Sequence, residues 1–145
     1  MSVRQLSIFL ENRVGRLDSV IKILGDGNID IKGISLADTE NFGIVRLIVD
    51  DIEGASALLK SKGFLCKINE VTVVSVDNAP GGLAKILGIL FNSSINIEYM
   101  YAIAAPAGDR PLMVFGFGDR AKAGEVLAAA KVDILDEARL LASTK

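Results

Sequence analysis

The sequence contains no histidine and no tryptophan, one cysteine and three prolines in 145 residues. Each scarcity excludes something. Without histidine there is no imidazole base, and with Cys66 alone there is neither an intramolecular disulfide nor a His/Cys zinc cluster within one chain. Cys66 lies in the apolar stretch Phe64-Leu65-Cys66-Lys67-Ile68, where a small buried hydrophobe is the ordinary reading and a reactive thiol the rarer one. Aromatics are confined to two Tyr and six Phe, so Val, Ile, Leu and Ala carry the packing of a chain that is 50% hydrophobic. No apolar run approaches the roughly 20 residues that a bilayer span needs. Residues 1–11 lack the basic-then-apolar layout of a secretory signal. These features predict a cytoplasmic protein without membrane segments. The net charge is −2, from 16 basic and 18 acidic side chains without a basic block, so the footprint of a nucleic-acid binder is missing. Neither a GxxxxGK-Ser/Thr loop nor a GxGxxG is present, and no cofactor or metal is expected.

What is there is a repeat. Leu10-Glu11-Asn12-Arg13-Val14-Gly15-Arg16-Leu17 reads like Val76-Asp77-Asn78-Ala79-Pro80-Gly81-Gly82-Leu83, with Gly81 lying 66 residues after Gly15. The offset holds into Asn28-Ile29-Asp30-Ile31 and Ser94-Ile95-Asn96-Ile97. Beyond the next turn Asp50 and Asp119 suggest an offset of 69, hence three extra residues in the second repeat, placed in Ala105 to Arg110. Each repeat has the same order of elements. Strands are expected at Gln5 to Leu10 and Val71 to Val76. Leu17, Val20, Ile21 and Leu24, matched by Leu83, Ile86, Leu87 and Leu90, have helical spacing, with Pro80 in the first turn of its helix. Two more strands follow in each repeat, Ile29 to Ala37 with Ile44 to Val49 and Ile95 to Ala104 with Leu112 to Phe117. Helices are then expected near Ile52 to Ser61 and Ala121 to Ala130, and closing strands at Phe64 to Ile68 and Val132 to Leu135. This is an α+β fold: two ferredoxin-like βαββαβ units in tandem, with antiparallel sheets and both helices of a unit on one face. The units are expected at residues 2–70 and 71–138, with a C-terminal tail at 139–145. Only Asn69-Glu70 separates them, which excludes a flexible tether. Leu6 to Leu10 and Val71 to Val74 are too apolar on both sides for strands with one wet face, and another molecule is expected to cover the helix-free faces.

The repeated turn joins a strand end to a helix start. There the first N–H groups have no internal partner and the helix dipole adds positive charge, while a glycine lets a ligand approach the backbone. Such a place suits a carboxylate. Asn12, Asn78, Asp30 and Asn96 are candidate acceptors for an ammonium. Spacing alone leaves a plainer alternative open, in which Asn or Asp ahead of the helix is only a cap and the glycine only a turn.

Asn12-Arg13-Val14-Gly15-Arg16-Leu17 and Asn78-Ala79-Pro80-Gly81-Gly82-Leu83, each ahead of Asn/Ser-Ile-Asp/Asn-Ile, resemble the ACT domain family of small regulatory domains in amino-acid metabolism. The resemblance implies two ACT units that pair side by side and hold an amino-acid effector at an interface. Matched by position, it points to Asn12, Gly15, Arg16, Leu17 and Asp30 in the first repeat, and to Asn78, Gly81, Gly82, Leu83 and Asn96 in the second. Val14 stands where the pattern has Pro, and the differences Arg16/Gly82 and Asp30/Asn96 imply two unequal sites. The reading that follows is a non-catalytic, allosteric, amino-acid-sensing regulatory protein, expected to be a homodimer that modulates a partner enzyme of amino-acid metabolism. A regulatory small subunit, such as that of acetolactate synthase, is one form of it.

Two other classes are weaker. An enzyme would need a paired base or nucleophile, and Asp18, Asp30, Asp77 and Glu98 show no such pairing; no catalytic residue is expected. Tyr99 and Tyr101 flank Met100 and read as pocket walls or as packing. An RNA-binding domain of the same topology would need aromatics on a basic surface, and Phe9, Phe115 and Phe117 have none around them.

Overall fold

Helical spacing of Leu17, Val20, Ile21 and Leu24 directs one stripe of the first helix inward, and alternation along its neighbouring strands directs every second side chain toward it. The computed structural model describes residues 1–38, 41–103 and 110–144. In chain order the elements are β1 (Val3–Glu11), α1 (Arg16–Asp26), β2 (Ile31–Asp38), β3 (Phe42–Val49), α2 (Ile52–Ser61), β4 (Leu65–Ser75), α3 (Gly82–Asn92), β5 (Ile97–Ile103), β6 (Leu112–Phe117), α4 (Arg120–Ala129), β7 (Ile134–Leu135) and α5 (Glu137–Ser143). They form two compact units, Arg4–Asn69 and Glu70–Lys145, the latter including Met1–Val3. The expected order of elements is present twice.

In the first unit the strands lie in the order β2-β3-β1-β4, with β3 antiparallel to both neighbours. Leu6, Ile8 and Leu10 of β1, and Val45, Leu47 and Val49 of β3, meet Val20 and Leu24 of α1 and Ala55 and Leu59 of α2 in one core. Both helices therefore cover the same face. Cys66 is buried in this core, its thiol 3.8 Å from the Ser56 carbonyl oxygen, as expected of a small hydrophobe. In the second unit the order is β5-β6-β4-β7, all pairs antiparallel. Its core joins Val74, Val76 and Phe115 to Ile86 and Leu90 of α3 and Leu127 of α4.

Four expectations change. The closing strand of the first repeat and the opening strand of the second are one strand, β4, with Asn69 and Glu70 inside it. The C-terminal stretch set apart as a tail is mostly helix α5, whose Leu140 is fully buried. Strand pairing also corrects the offset. Ile8 pairs with Val45 and its equivalent Val74 pairs with Met113, which lies 68 residues after Val45. Asp51 and Asp119, also 68 apart, are the matching N-caps of α2 and α4. The second repeat thus has two extra residues and not three, because Asp51, not Asp50, is the counterpart of Asp119. The loop expected to hold them lies, apart from Arg110, outside the described residues. Finally, Val71 and Val73 on the helix-free side of β4 are already buried within the chain, so they call for no second molecule. Phe9 on β1 differs, being 39% exposed.

Candidate functional site

The five helices of the described residues start in two ways. Helices α2, α4 and α5 are capped by Asp51, Asp119 and Asp136, whose carboxylates accept from the backbone N–H of Gly54, Lys122 and Arg139 at 3.0, 3.1 and 2.8 Å. Such caps satisfy one of the orphan donors of a first turn. The two motif helices have none. Their N-caps are Gly15 (φ 91°) and Gly81 (φ 86°), both left-handed, with no side-chain cap bond. The plainer reading of Asn12 and Asn78 as helix caps therefore fails. Val14 and Pro80 sit one residue ahead of the caps, so Pro80 precedes its helix and is not in the first turn.

The two loops share their internal bonds one for one. Arg13 N–H donates to Glu11 O at 2.9 Å, and Ala79 N–H to Asp77 O at 2.9 Å. Ser19 N–H donates to Gly15 O and Lys85 N–H to Gly81 O, each at 3.0 Å. Built twice on different side chains, the turn is a property of the backbone and its left-handed glycine. It leaves the second and third helical N–H groups, of Leu17 and Asp18 and of Leu83 and Ala84, facing outward at the positive end of a dipole.

In the first unit this helix start borders a hollow of about 120 Å³ lined by Asn12, Arg16, Leu17, Leu36 and Asp38, among others. Asn12 Nδ2 donates to Asp38 Oδ2 at 3.2 Å. Arg16 is half-buried, with its guanidinium carbon 4.7 Å from the Phe64 ring centroid, and its Nε has no acceptor among the described residues. The guanidinium makes a cation–π contact with Phe64. The hollow thus offers a cation and free N–H groups on one side, a carboxylate on another, and aliphatic walls from Leu17 and Leu36. That is a set of contacts suited to a zwitterion with a side chain.

The structure brings together Asn12, Gly15, Arg16 and Leu17, and separately Asn78, Gly81, Gly82 and Leu83. Within a unit it does not bring Asp30 or Asn96 to the loop. Asp30 precedes β2 where Ile31 faces Val49, whereas the loop follows Glu11, which faces Phe42. The two ends of the sheet are separated by about seven strand residues, roughly 20 Å. Asp30 is engaged there, its carboxylate 2.7 Å from Lys32 Nζ and its N–H 2.9 Å from Asp50 Oδ1. Asn96 precedes β5 at the matching far end. The residues that sequence reasoning missed are Asp38 and Leu36. A register argument could have found them: Leu10 faces Gly43, which faces Asp38, so the end of β2 is two strands from the loop. The Tyr99 ring packs over Gly116 across the ladder, where a Cβ would lie 2.2 Å from it. No group of three metal-ligating side chains occurs among the described residues, and no helix there is long and apolar enough to cross a membrane.

The model of a family described as ACT domain pair matches residues 1–143. A crystal structure of protein BT0572 from Bacteroides thetaiotaomicron is similar, with 40% identity, 97% of this chain and 96% of that chain covered, and a TM-score of 0.88. The regulatory subunits of aspartate kinase from Thermus thermophilus (ligand free) and Thermus flavus share the fold, each at 15% identity and a TM-score of 0.56. The alignments cover 88% of this chain and 91% and 92% of theirs. No curated protein matches the chain.

Proposed function

Because the chain belongs to the ACT domain family, as a pair of ACT units, we propose that it is a regulatory protein that binds a free amino acid and does no chemistry of its own. The observation that carries this is the contrast between aspartate-capped helices and the two uncapped glycine starts. At α1 the effector's carboxylate takes the N–H groups of Leu17 and Asp18 and the Arg16 guanidinium. Asp38 and Asn12 receive its ammonium, and Leu36 and Leu17 receive its side chain. Asp30 and Asn96, at the far end of the sheet in their own units, take no part in the contacts proposed for the loops. The loop of the second unit, with Gly82 in place of Arg16, is the weaker carboxylate site. Three of the four carboxylates considered for catalysis are ion-paired, Asp18 with Lys22, Asp30 with Lys32 and Asp77 with Arg110; among the described residues Glu98 is not. On this reading the bound state acts through a partner, an enzyme of amino-acid metabolism. The occurrence of this fold as regulatory subunits of aspartate kinase fits that arrangement.

A calorimetric titration of the folded chain against each of the twenty amino acids tests the reading. One amino acid, or a chemically related few, is expected to bind saturably and to raise the melting temperature in proportion to occupancy. Twenty flat titrations of folded protein would remove the effector.

Dimerisation is part of the proposal. Phe9, Phe42 and Leu65 are 39%, 58% and 70% exposed and wall one concavity of the first unit. An apolar surface of that kind is characteristic of a protein contact. Light scattering is expected to give twice the chain mass for the native protein and the chain mass for Leu65→Glu. A native monomer, or a Leu65→Glu dimer, would contradict it.

A further inference from the structure

The corrected offsets place two concavities at the same position of the two repeats, one with apolar walls and one with charged walls. The cavity of the first unit, about 240 Å³, is walled by Phe9, Phe42, Phe64 and Leu65, with Glu11, Arg16 and Gly63 beside them. The equivalent cavity of the second unit is about 270 Å³. There Ser75 replaces Phe9, Arg110 replaces Phe42, Asp133 replaces Leu65, Lys131 replaces Gly63 and Gly82 replaces Arg16. Helix α3 adds Lys85, where the first repeat has Ser19. Asp77 keeps the carboxylate of Glu11, while the aromatic walls give way to charged or smaller residues.

The charges in the second cavity do not cancel. Arg110 Nη2 donates to Asp77 Oδ1 at 2.5 Å. Arg139 donates to both oxygens of Asp133, at 2.9 and 3.0 Å, which holds that carboxyl below its ordinary range. Each carboxylate is thus matched by an arginine. Lys85 and Lys131 also line the cavity, and neither meets a carboxylate among the described residues. Lys131 moreover occupies a left-handed backbone position (φ 61°), where the first repeat has Gly63 (φ 85°). A side chain there is strained relative to glycine. The lysine stands at a place where the backbone alone favours glycine.

We propose that the cavity bounded by Lys85, Lys131 and Arg110, with Asp77 and Gly82 of the second motif loop at its edge, binds a small dianion, a compound with two carboxylates or a phosphate group. Ile86 and Ile89 supply an apolar wall for its carbon skeleton. The volume is just under the range of about 300–1,000 Å³ that holds drug-sized ligands, which suits a metabolite of a few carbons.

Calorimetry of the full chain with succinate, inorganic phosphate and acetate tests this. Succinate or phosphate is expected to bind at least about tenfold more tightly than acetate, since the second charge meets a second lysine. Preference between the two dianions assigns a dicarboxylate or a phosphoryl compound. The variant Lys85→Ser/Lys131→Gly restores the residues of the first repeat and relieves the left-handed lysine, so its melting temperature should be kept or raised. Its affinity for the dianion should fall at least about tenfold per lysine removed. Equal binding of all three probes, no binding of either dianion, or unchanged affinity in the double variant would overturn the assignment. The amino-acid titrations are read separately at the first unit's loop, whose hollow shares no residue with this cavity, so the double variant should leave amino-acid binding there unchanged.

Discussion

Phe115→Ala is expected to cost about 3–5 kcal/mol, the largest loss of any single truncation considered. Phe115 has no exposed surface and sits on the central strand β6, facing Thr72 of β4 on one side and Met100 of β5 on the other. Its ring stacks on Phe117 at 5.3 Å with an interplanar angle of 6°, and it shares a core with Ile86, Leu90 and Leu127. In a chain with two Tyr and six Phe, few other side chains have the volume to refill the space. Small domains are stable by about 5–15 kcal/mol, so the loss would leave the second unit marginal. Urea denaturation followed by circular dichroism gives the number. A loss under about 1 kcal/mol would mean that β6 is not packed against both helices as described.

The second large effect concerns the loops. Gly15→Asn and Gly81→Asn are expected to weaken amino-acid binding about 100-fold in the loop each one alters, near 2.7 kcal/mol, with little change in melting temperature. Nothing lies within 4 Å of a Cβ built on either glycine. Asparagine also adopts the left-handed conformation more readily than other residues with a side chain, so the turn can form. The new side chain would stand where the effector's carboxylate approaches the outward N–H groups. Valine would be a poorer probe, since a β-branched residue at φ 86° strains the turn itself. Unchanged affinity in both asparagine variants would move the effector away from the helix starts.

Periodicity and repetition made most of the fold legible. Leu17, Val20, Ile21 and Leu24 mark a helix by spacing alone, and Ile52–Ser61 was bounded to the residue. What stayed hidden depended on partners far along the chain. Strand β4 runs through Asn69 and Glu70 because its ladder continues, and polar residues at that point read locally as a break. The two-residue difference between repeats is visible only in cross-strand register, since Asp50 and Asp51 are equivalent as letters. The same limit applies to the site. The loop is contiguous in sequence and was read directly, together with Arg16 and Leu17. Asp38 reaches Asn12 across 26 residues through two strand pairings, and Asp30 is carried to the far end by the same pairings. Cap against binding turn was undecidable from Asn12 and Gly15 alone. The backbone angles of Gly15 and Gly81 and the missing side-chain bonds remove the cap, and binding is what the titrations test.

The central claim is that two uncapped helix starts hold an amino acid, and amide-resolved NMR during titration with the amino acid that binds in calorimetry tests it most directly. Shifts concentrated at the amides of residues 15–18, with weaker ones at 81–84 and no response at the aspartate-capped starts of α2 and α4, are the predicted result. Shifts confined to other parts of the chain, or a response at the capped helices equal to that at the glycine starts, would contradict it.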